Sequence, residues 1–266
     1  MTDPGAEEAR RAARFGVRAV LAAVALGLVA VPFSLLLLWV QVQWSPLLHA
    51  DQAARDGLHA FALAHGGFVT VMEALSTVGS WWVYLIGFAV VIGRLLWRGL
   101  VRSAVFVVVT VGGSALLNEV MKAVVHRARP VLADPVAQAS GTSFPSGHAQ
   151  GAVVGYGVLL LVLLPALRGA ARPIAVTAAL LMVFAIGFSR VALGVHYLSD
   201  VLAGYILGAA WTAAMIASFA THHHDAAARR PVSVTSALAA SPTPRRARAG
   251  RGTPAPSRTR RRRCRE

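Results

Sequence analysis

Cysteine, lysine and acidic residues are scarce in this chain. Cys264 is the single cysteine, which excludes an intrachain disulfide and a zinc site built from several cysteines. Only two residues follow it, so it does not form a C-terminal prenylation signal. Lysine occurs once, and 11 Asp and Glu residues stand against 26 Lys and Arg. With charged residues at 14% of 266, the composition is not that of a soluble globular protein.

Long apolar runs are abundant instead. Hydrophobic residues make up 56% of the chain, and the mean hydropathy is +0.60. Six segments each approach the roughly 20 residues with which a helix crosses the hydrocarbon core of a bilayer. The first is too long for a signal peptide and lacks a clear cleavage site, so we expect an uncleaved helix. The segments are 17–40, 80–97, 103–125, 149–167, 173–189 and 197–219.

This pattern predicts an all-α fold, a bundle of six transmembrane helices with a polar site at their extracytoplasmic ends. We divide the chain into a cytoplasmic N-terminal segment at 1–16, a six-helix membrane domain at 17–220 and a disordered cytoplasmic tail at 221–266. The tail is rich in Arg, Pro and Ala and has almost no large apolar residue, a composition typical of disorder.

Nine of the thirteen arginines outside the tail lie beside alternate ends of the apolar segments. By the positive-inside rule these ends, and both termini, are cytoplasmic in a multi-pass protein of the cell membrane. The loops 41–79, 126–148 and 190–196 are then extracytoplasmic, and we expect 45–79 to contain an amphipathic helix in the membrane interface. The arginines are Arg10, Arg11, Arg14, Arg18, Arg94, Arg98, Arg102, Arg168 and Arg172.

The net charge of +15 suggests nucleic acid as a partner, but the position of the charge does not. Twelve of the 26 basic residues lie after Thr221, and most of the others flank apolar runs. Arginines close to a membrane attract anionic lipids. We therefore expect no nucleic acid partner, and a tail that contacts anionic lipid headgroups or is simply disordered.

Three polar clusters fall on the predicted outer side, at 122–130, 144–150 and 189–200. Charged groups beside a membrane span are costly and are candidates for function. Cations outnumber acids among them, which favours a compact anion, and arginine side chains match phosphate oxygens well. The clusters supply Lys122, Arg127, Arg129, Arg190, His148, His196 and Asp200.

The turn at Ser146-Gly147 leads into an apolar helix. The free N–H groups of a helix start bind anions, glycine lets the backbone approach an oxyanion, and serine can cap the helix. His196 and Asp200 are four residues apart and share a helix face, so the carboxylate can orient the imidazole. Two histidines beside a phosphate can attack phosphorus and protonate the leaving oxygen, and the residues by themselves leave open which histidine does which.

The three clusters together resemble the signature of the type-2 phosphatidic acid phosphatase superfamily. That signature is lysine, six residues and Arg-Pro; then Pro-Ser-Gly-His; then Ser-Arg, five residues, His, three residues and Asp. The chain matches each position and spacing over 79 residues. The matching positions are Lys122, Arg129-Pro130, Pro145-Ser146-Gly147-His148, Ser189-Arg190, His196 and Asp200.

The resemblance implies an enzyme that removes phosphate from a membrane lipid phosphate or diphosphate without a metal or other cofactor. Candidate substrates are undecaprenyl diphosphate, phosphatidic acid and phosphatidylglycerol phosphate. By the resemblance His196 is a nucleophile that forms a phosphohistidine, Asp200 orients it, and His148 is the general acid. The implied phosphate-binding residues are Lys122, Arg129, Ser146, Gly147 and Arg190.

Three other functions are compatible with parts of this pattern. Vanadium haloperoxidases resemble the same motifs but are soluble, which six membrane spans argue against. A non-catalytic lipid-binding or transport protein on the same scaffold would be expected to lack His148, His196 or Asp200. A phosphatase or phosphotransferase that acts on a non-lipid phosphate ester is left open by the sequence.

Several residues outside the signature also receive predictions. His126 and Arg127 match no position of it, so we expect them to contact solvent or headgroups. Glu119 is expected to pair with Lys122 or to lie in a polar interior, and a structural Asp200–Arg190 pair stays open. Glycines four residues apart predict close packing of the fourth and sixth segments. These are Gly147, Gly151 and Gly155, and Gly204 and Gly208.

Overall fold

The computed structural model describes the backbone of residues 27–228 and the side chains of residues 27–219. This part of the chain contains helices and no strand, so the all-α prediction is confirmed for it. The helices are α1 (Gly27–Gln41), α2 (Ser45–Ala64), α3 (Gly66–Val78), α4 (Trp81–Trp97), α5 (Val101–Val125), α6 (Gly147–Leu163), α7 (Ala171–Ala192) and α8 (Leu198–Ala228).

The last five predicted apolar segments correspond to α4 to α8, and the first corresponds in part to α1. The predicted segment 1–16 and the first part of the first apolar segment lie outside the described residues. Most of the predicted tail also lies outside them, although α8 continues past the predicted boundary at 220 to Ala228.

The outer segment 45–79 is more helical than the sequence indicated. Instead of a loop with one helical piece, α2 and α3 fill almost all of it. Pro46 lies in the first turn of α2, where a proline is favourable because its missing N–H would have no helical partner. The chain bends by 88° between α1 and α2 and by 42° between α3 and α4.

By length and apolar composition, α5, α7 and the Leu198–Phe219 part of α8 can each cross a membrane. The two bent pairs, α1 with α2 and α3 with α4, raise the number of candidate spans among the described residues to as many as five. α6 is also apolar but has only 17 residues. Six spans therefore stay a prediction.

α6 packs against α4, α5 and α7, and its buried side chains place its first turn inside the bundle. α8 approaches α6 at Gly204, where a Cβ atom would lie 2.6 Å from the carbonyl oxygen of Ser146. At Gly208 a Cβ atom would lie 2.9 Å from the carbonyl oxygen of Gln150. The predicted packing of the fourth and sixth segments is therefore confirmed for the α8 glycines.

The glycines of α6 have other neighbours than the sequence indicated. Cβ atoms at Gly151 and Gly155 would lie 3.2 and 3.0 Å from the ring of Tyr84 on α4. A Cβ atom at Gly147 would lie 3.1 Å from the Oδ1 atom of Asn118 on α5. The small residues of α6 thus allow α4 and α5 to pack closely against it, while those of α8 allow α6 to do so.

We predict that Gly204→Ala lowers the melting temperature of the purified protein, because its methyl group would collide with the backbone of the turn before α6. Overpacking of this kind costs about 1–3 kcal/mol. Gly87→Ala on α4 is the matched control, since nothing lies within 4 Å of a Cβ atom there. Thermal unfolding followed by tryptophan fluorescence in detergent measures both. Equal melting temperatures for the two variants would contradict the close α6–α8 contact.

Candidate active site

The three clusters meet at one end of the bundle. The last turn of α5 carries Lys122, the last turn of α7 carries Arg190, and the first turn of α8 carries Asp200. His148 lies in the first turn of α6, and electrostatic interactions link it to Lys122, Arg129, Arg190 and His196. The structure therefore brings together side chains that lie up to 78 positions apart in the sequence.

The turn before α6 is held from two sides. The N–H of Ser146 donates to the carbonyl oxygen of Asp200 at 2.9 Å, and the N–H of Ser143 donates to the carbonyl oxygen of Arg127 at 2.8 Å. Phe144 and Pro145 between them are fully buried, and the peptide bond that joins them is cis. The backbone that opens α6 is thus fixed against both α8 and the segment after α5.

Ser146 occupies the N-cap position of α6, but its hydroxyl does not cap the helix. The Oγ atom is buried and has no hydrogen-bond partner. The Nε atom of Arg190 is also buried and unpartnered, while its Nη1 donates to the hydroxyl of Ser76 on α3. Unpartnered buried polar atoms are costly, so a site that contains two donors of this kind favours an anionic ligand.

His196 lies in the short connection between α7 and α8 and is 2% exposed. The Nη1 atom of Arg129 lies 3.1 Å from its Nε2 atom. A guanidinium group can only donate, so Nε2 accepts and the imidazole proton is on Nδ1. Nδ1 lies 3.5 Å from the Oδ2 atom of Asp200, which is longer than a normal hydrogen bond, and this buried nitrogen has no other hydrogen-bond partner. Nε2 therefore presents its lone pair to the cationic side of the site.

Burial lowers the pKa of His196 to about 4. Asp200 acts in the opposite direction, and the positive charges of Arg129 and Arg190 add to the lowering. At neutral pH the imidazole is consequently uncharged. An uncharged imidazole whose Nε2 carries no proton is the form that can act as a nucleophile or a base.

Arg129 is half buried without a carboxylate partner within hydrogen-bonding distance. Its Nε donates to the carbonyl oxygens of Ser140 and Gly141 at 3.1 and 3.2 Å, and Nη1 donates to that of Val195 at 2.8 Å. Burial lowers the pKa of Arg129, and Asp200 offsets this only in part. A cation held by backbone carbonyls has its charge available for a bound anion.

Asp200 is fully buried and does not pair with Arg190, so the structural pair that the sequence left open is not present. Its Oδ1 accepts instead from Nη1 of Arg127 at 2.6 Å, and its Oδ2 accepts from the N–H of Tyr197 at 2.9 Å. The prediction that Arg127 contacts solvent or headgroups was wrong, because its side chain is only 11% exposed. His126, by contrast, is exposed as expected.

Two cavities adjoin Lys122 and Glu119. An apolar one of about 480 Å³ lies between α4, α5 and α6 and reaches His148. A more polar and open one of about 460 Å³ lies beside the loop at 140–142. The Nζ atom of Lys122 lies 2.9 Å from the Oε1 atom of Glu119. This ion pair is the first of the two alternatives that the sequence left open for Glu119.

A polar network that the sequence did not predict joins α5 and α6. Asn118 donates to Gln150 at 2.8 Å, and the Gln150 amide donates to the carbonyl and hydroxyl oxygens of Ser114, both at 2.9 Å. The signal was present, since Ser114, Asn118 and Lys122 are four residues apart and form a polar stripe on an apolar helix. The network holds the first turns of α6 against α5, next to the cavity. Asp51 also reaches the site, but nothing in the sequence around it indicated this.

Among the described residues, no group of three or more His, Cys, Asp or Glu side chains is arranged to hold a metal ion.

Residues 103–223 match the model of the PAP2 superfamily, and the match includes all three clusters. Phosphatidylglycerophosphatase B of Bacillus subtilis (strain 168) is 38% identical to this chain over 129 residues. The alignment covers 47% of this chain and 60% of that protein, less than two thirds of the relative's length.

The chain is also similar to a solved structure, that of a transmembrane PAP2 type phosphatidylglycerolphosphate phosphatase from Bacillus subtilis. The TM-score is 0.61 at 28% identity, and the match covers 70% of this chain and 94% of that one. The helical arrangement is therefore shared over most of the described residues.

We predict that orthovanadate and inorganic phosphate bind at this site and raise the melting temperature of the protein. Arg129→Gln should weaken their Kd by about tenfold to a hundredfold, because a hydrogen bond to a charged group contributes about 1.5–3 kcal/mol. Arg98→Gln is the control, an exposed arginine at the far end of α4, about 25 Å of helix away from its start. Titration calorimetry measures the Kd, and equal weakening in both variants would contradict the assignment.

Proposed function

We propose that this chain is a member of the PAP2 superfamily, whose model its residues 103–223 match, and an integral membrane enzyme that removes phosphate from a lipid phosphate or diphosphate. The observation that carries the proposal is the environment of His196. Its unprotonated Nε2 accepts from Arg129, and the unpartnered donors of Ser146 and Arg190 lie in the same site. A nucleophile surrounded by unsatisfied donors suits phosphoryl transfer, in which stabilisation of the phosphoryl oxygens is the main task of the protein.

The apolar cavity supports a lipid as the substrate. It extends from Lys122 and His148 to Phe88 and Val154 in the hydrophobic interior between the helices. A phosphate bound at its polar end would leave an attached hydrocarbon chain in apolar surroundings, where burial is favourable. A soluble phosphate ester would gain nothing from that part of the cavity, so we favour a lipid over it.

In the first half of the proposed reaction, the His196 Nε2 lone pair forms a bond to phosphorus while the bond from phosphorus to the leaving oxygen breaks. His148 gives a proton to that oxygen, and the product is a lipid alcohol, or a lipid monophosphate when the substrate is a diphosphate. Arg129 turns its Nη1 donor from Nε2 to a phosphate oxygen when the substrate binds, which frees the lone pair.

In the second half, a water molecule attacks phosphorus and gives its proton to His148. The bond between phosphorus and Nε2 breaks, so inorganic phosphate leaves and His196 returns to its uncharged form. Asp200 keeps the Nδ1 proton of His196 in place during both steps. The proposed ligands of the phosphate oxygens are Lys122, Arg129, Arg190, the Ser146 hydroxyl and the backbone N–H groups at Ser146-Gly147.

Phosphatidylglycerol phosphate is the first substrate to test, because the Bacillus relative is named as a phosphatidylglycerophosphatase. Undecaprenyl diphosphate and phosphatidic acid remain candidates, since the residues at the site bind phosphate rather than lipid. We further propose six spans with cytoplasmic termini, so that the site opens to the extracytoplasmic side. The positions of the arginine clusters support this orientation.

We predict that the detergent-purified protein releases phosphate from at least one of these three lipids in excess EDTA, and that His196→Ala abolishes the release. Each protein is mixed with a substrate labelled in its terminal phosphate, and the reaction is stopped after a short time without acid. The label should then remain on the wild-type protein and not on His196→Ala. His126→Ala is the matched control, an exposed histidine close to the same site. Release that survives in His196→Ala, or that needs a metal, would contradict the proposed mechanism.

We predict that the acid limb of the kcat/KM profile lies near pH 4 rather than near 6.5. kcat/KM reports the free enzyme, in which burial lowers the His196 pKa to about 4, and only the uncharged imidazole attacks. Activity is therefore lost as the pH falls through the lowered pKa. The substrate's own phosphate ionises near pH 6. Phosphorus NMR in the same micelles measures the ionised fraction of the substrate phosphate at each pH, and kcat/KM is corrected for that fraction. An acid limb that stays near 6.5 after this correction would contradict the assignment.

A further inference from the structure

The helix α2 reaches the candidate site through one buried carboxylate. Asp51 is 1% exposed, although it belongs to a segment at the outer end of the bundle. Its Oδ1 accepts from the N–H of Ser199 at 2.8 Å, and its Oδ2 accepts from the Ser199 hydroxyl at 2.5 Å. Oδ2 also accepts from Nη2 of Arg127 at 2.8 Å. Three hydrogen bonds from two other parts of the chain meet at this carboxylate, which is more than the packing of a surface helix requires.

Arg127 joins the two carboxylates of the cluster. One Nη1 atom donates to Asp200 at 2.6 Å and to the Ser199 hydroxyl at 2.7 Å, while Nη2 donates to Asp51. The guanidinium also lies over the ring of Tyr197, 4.2 Å from its centroid. Burial acts to lower the pKa of Arg127, but the two carboxylates more than offset it and the pKa is raised. The side chain is thus a fixed cation directly behind Asp200.

The charges of the cluster have a consequence for His196. Arg127 Nη1 lies 2.6 Å from Asp200 Oδ1. If Asp51 were absent, the positive charge of Arg127 would cancel the negative charge of Asp200, and little charge would remain to attract the Nδ1 proton of His196. With Asp51 added, two carboxylates and one guanidinium leave a net charge of −1. This remaining charge lies on the Nδ1 side of the imidazole, opposite the arginines that face Nε2.

We propose that Asp51 and Arg127 are positioning residues for His196. Arg127 holds the Asp200 carboxylate in place, and Asp51 cancels the positive charge that Arg127 brings, so that Asp200 can stabilise the imidazole as Nε2 bonds to phosphorus. The docking of α2 is then part of the active site and not only of the fold. This inference rests on the proposed function, in which His196 is the nucleophile.

The direction of each effect follows from the groups around His196. Arg129, Arg190 and His148 face it from the other elements, and Asp200 faces its Nδ1 atom. Loss of the negative charge of Asp51 should lower the His196 pKa further, because the charged imidazole is then less favoured. Loss of the positive charge of Arg127 should raise it. Loss of both restores a net charge of −1 and should return the pKa towards that of the wild type.

The experiment compares the wild type with Asp51→Asn, Arg127→Gln and the double variant. We expect Asp51→Asn to lower kcat by about tenfold, within the range for charged groups that share one network, with KM changed by less than about threefold. The double variant should recover most of that loss. A purely structural role predicts the opposite, because removing both partners would then harm the protein at least as much as removing one.

A second readout needs no substrate. Titration of histidine labelled with ¹⁵N, with the His196 signal assigned from His196→Gln, follows its protonation directly in all four proteins. Asp51→Glu, which keeps the charge, should titrate like the wild type. Asp56→Asn is the control on the same helix, since Asp56 is exposed and pairs only with Arg55.

Each outcome decides a separate point. If the wild type releases phosphate from no lipid, the proposed function fails, while the His196 titrations still support or overturn the charge relation. If the wild type is active and Asp51→Asn keeps its kcat and its His196 titration, the inference is overturned and the function stands. If Asp51→Asn does not fold, the inference requires His196 to titrate at lower pH in the double variant than in Arg127→Gln.

Discussion

The buried carboxylate of Asp200 is the group on which the arrangement of the site depends. A carboxylate without water must be surrounded by donors, and Arg127, the Tyr197 N–H and the nearby His196 ring supply that environment. The carbonyl oxygen of Asp200 accepts the Ser146 N–H, so the same residue also fixes the start of α6. The positions of His196 and of the turn before α6 are therefore set together.

The other side of the site has the opposite character. Arg129 donates to backbone carbonyl oxygens and to His196 but to no carboxylate, and Arg190 and Ser146 keep buried donors without partners. Such groups are stable together only because the fold holds them and because an anion can satisfy them. A carboxylate therefore lies on the Nδ1 side of His196, and the arginines lie on its Nε2 side. This arrangement orients the Nε2 atom towards the cationic part of the site, as the proposed attack on phosphorus requires.

Much of the fold and of the site could be predicted from the sequence. Five of the apolar segments became α4 to α8, and the residues of the family signature meet at one end of the bundle. The errors concern segments and side chains whose surroundings are distant in sequence. The segment 45–79 was expected to be mainly a loop because its polar residues interrupt the apolar pattern, yet one of them, Asp51, faces inward and pairs with Arg127. Arg127 was assigned to solvent or headgroups because it matches no position of the signature, which carries no information about its distant partners.

The sequence by itself determined which chemical groups are present, on which helices they lie and at which helix ends. Local spacing determines these features, since a helix places residues four apart on one face and apolar runs set its length. Only the tertiary structure decided which partner each charge has. The Ser199–Asp51 contact spans 148 residues, and the contact of Asp200 with Arg127 spans 73. Pairings at that distance depend on how the helices pack, and in this buried site they decide that Arg127 pairs with carboxylates while Arg129 does not.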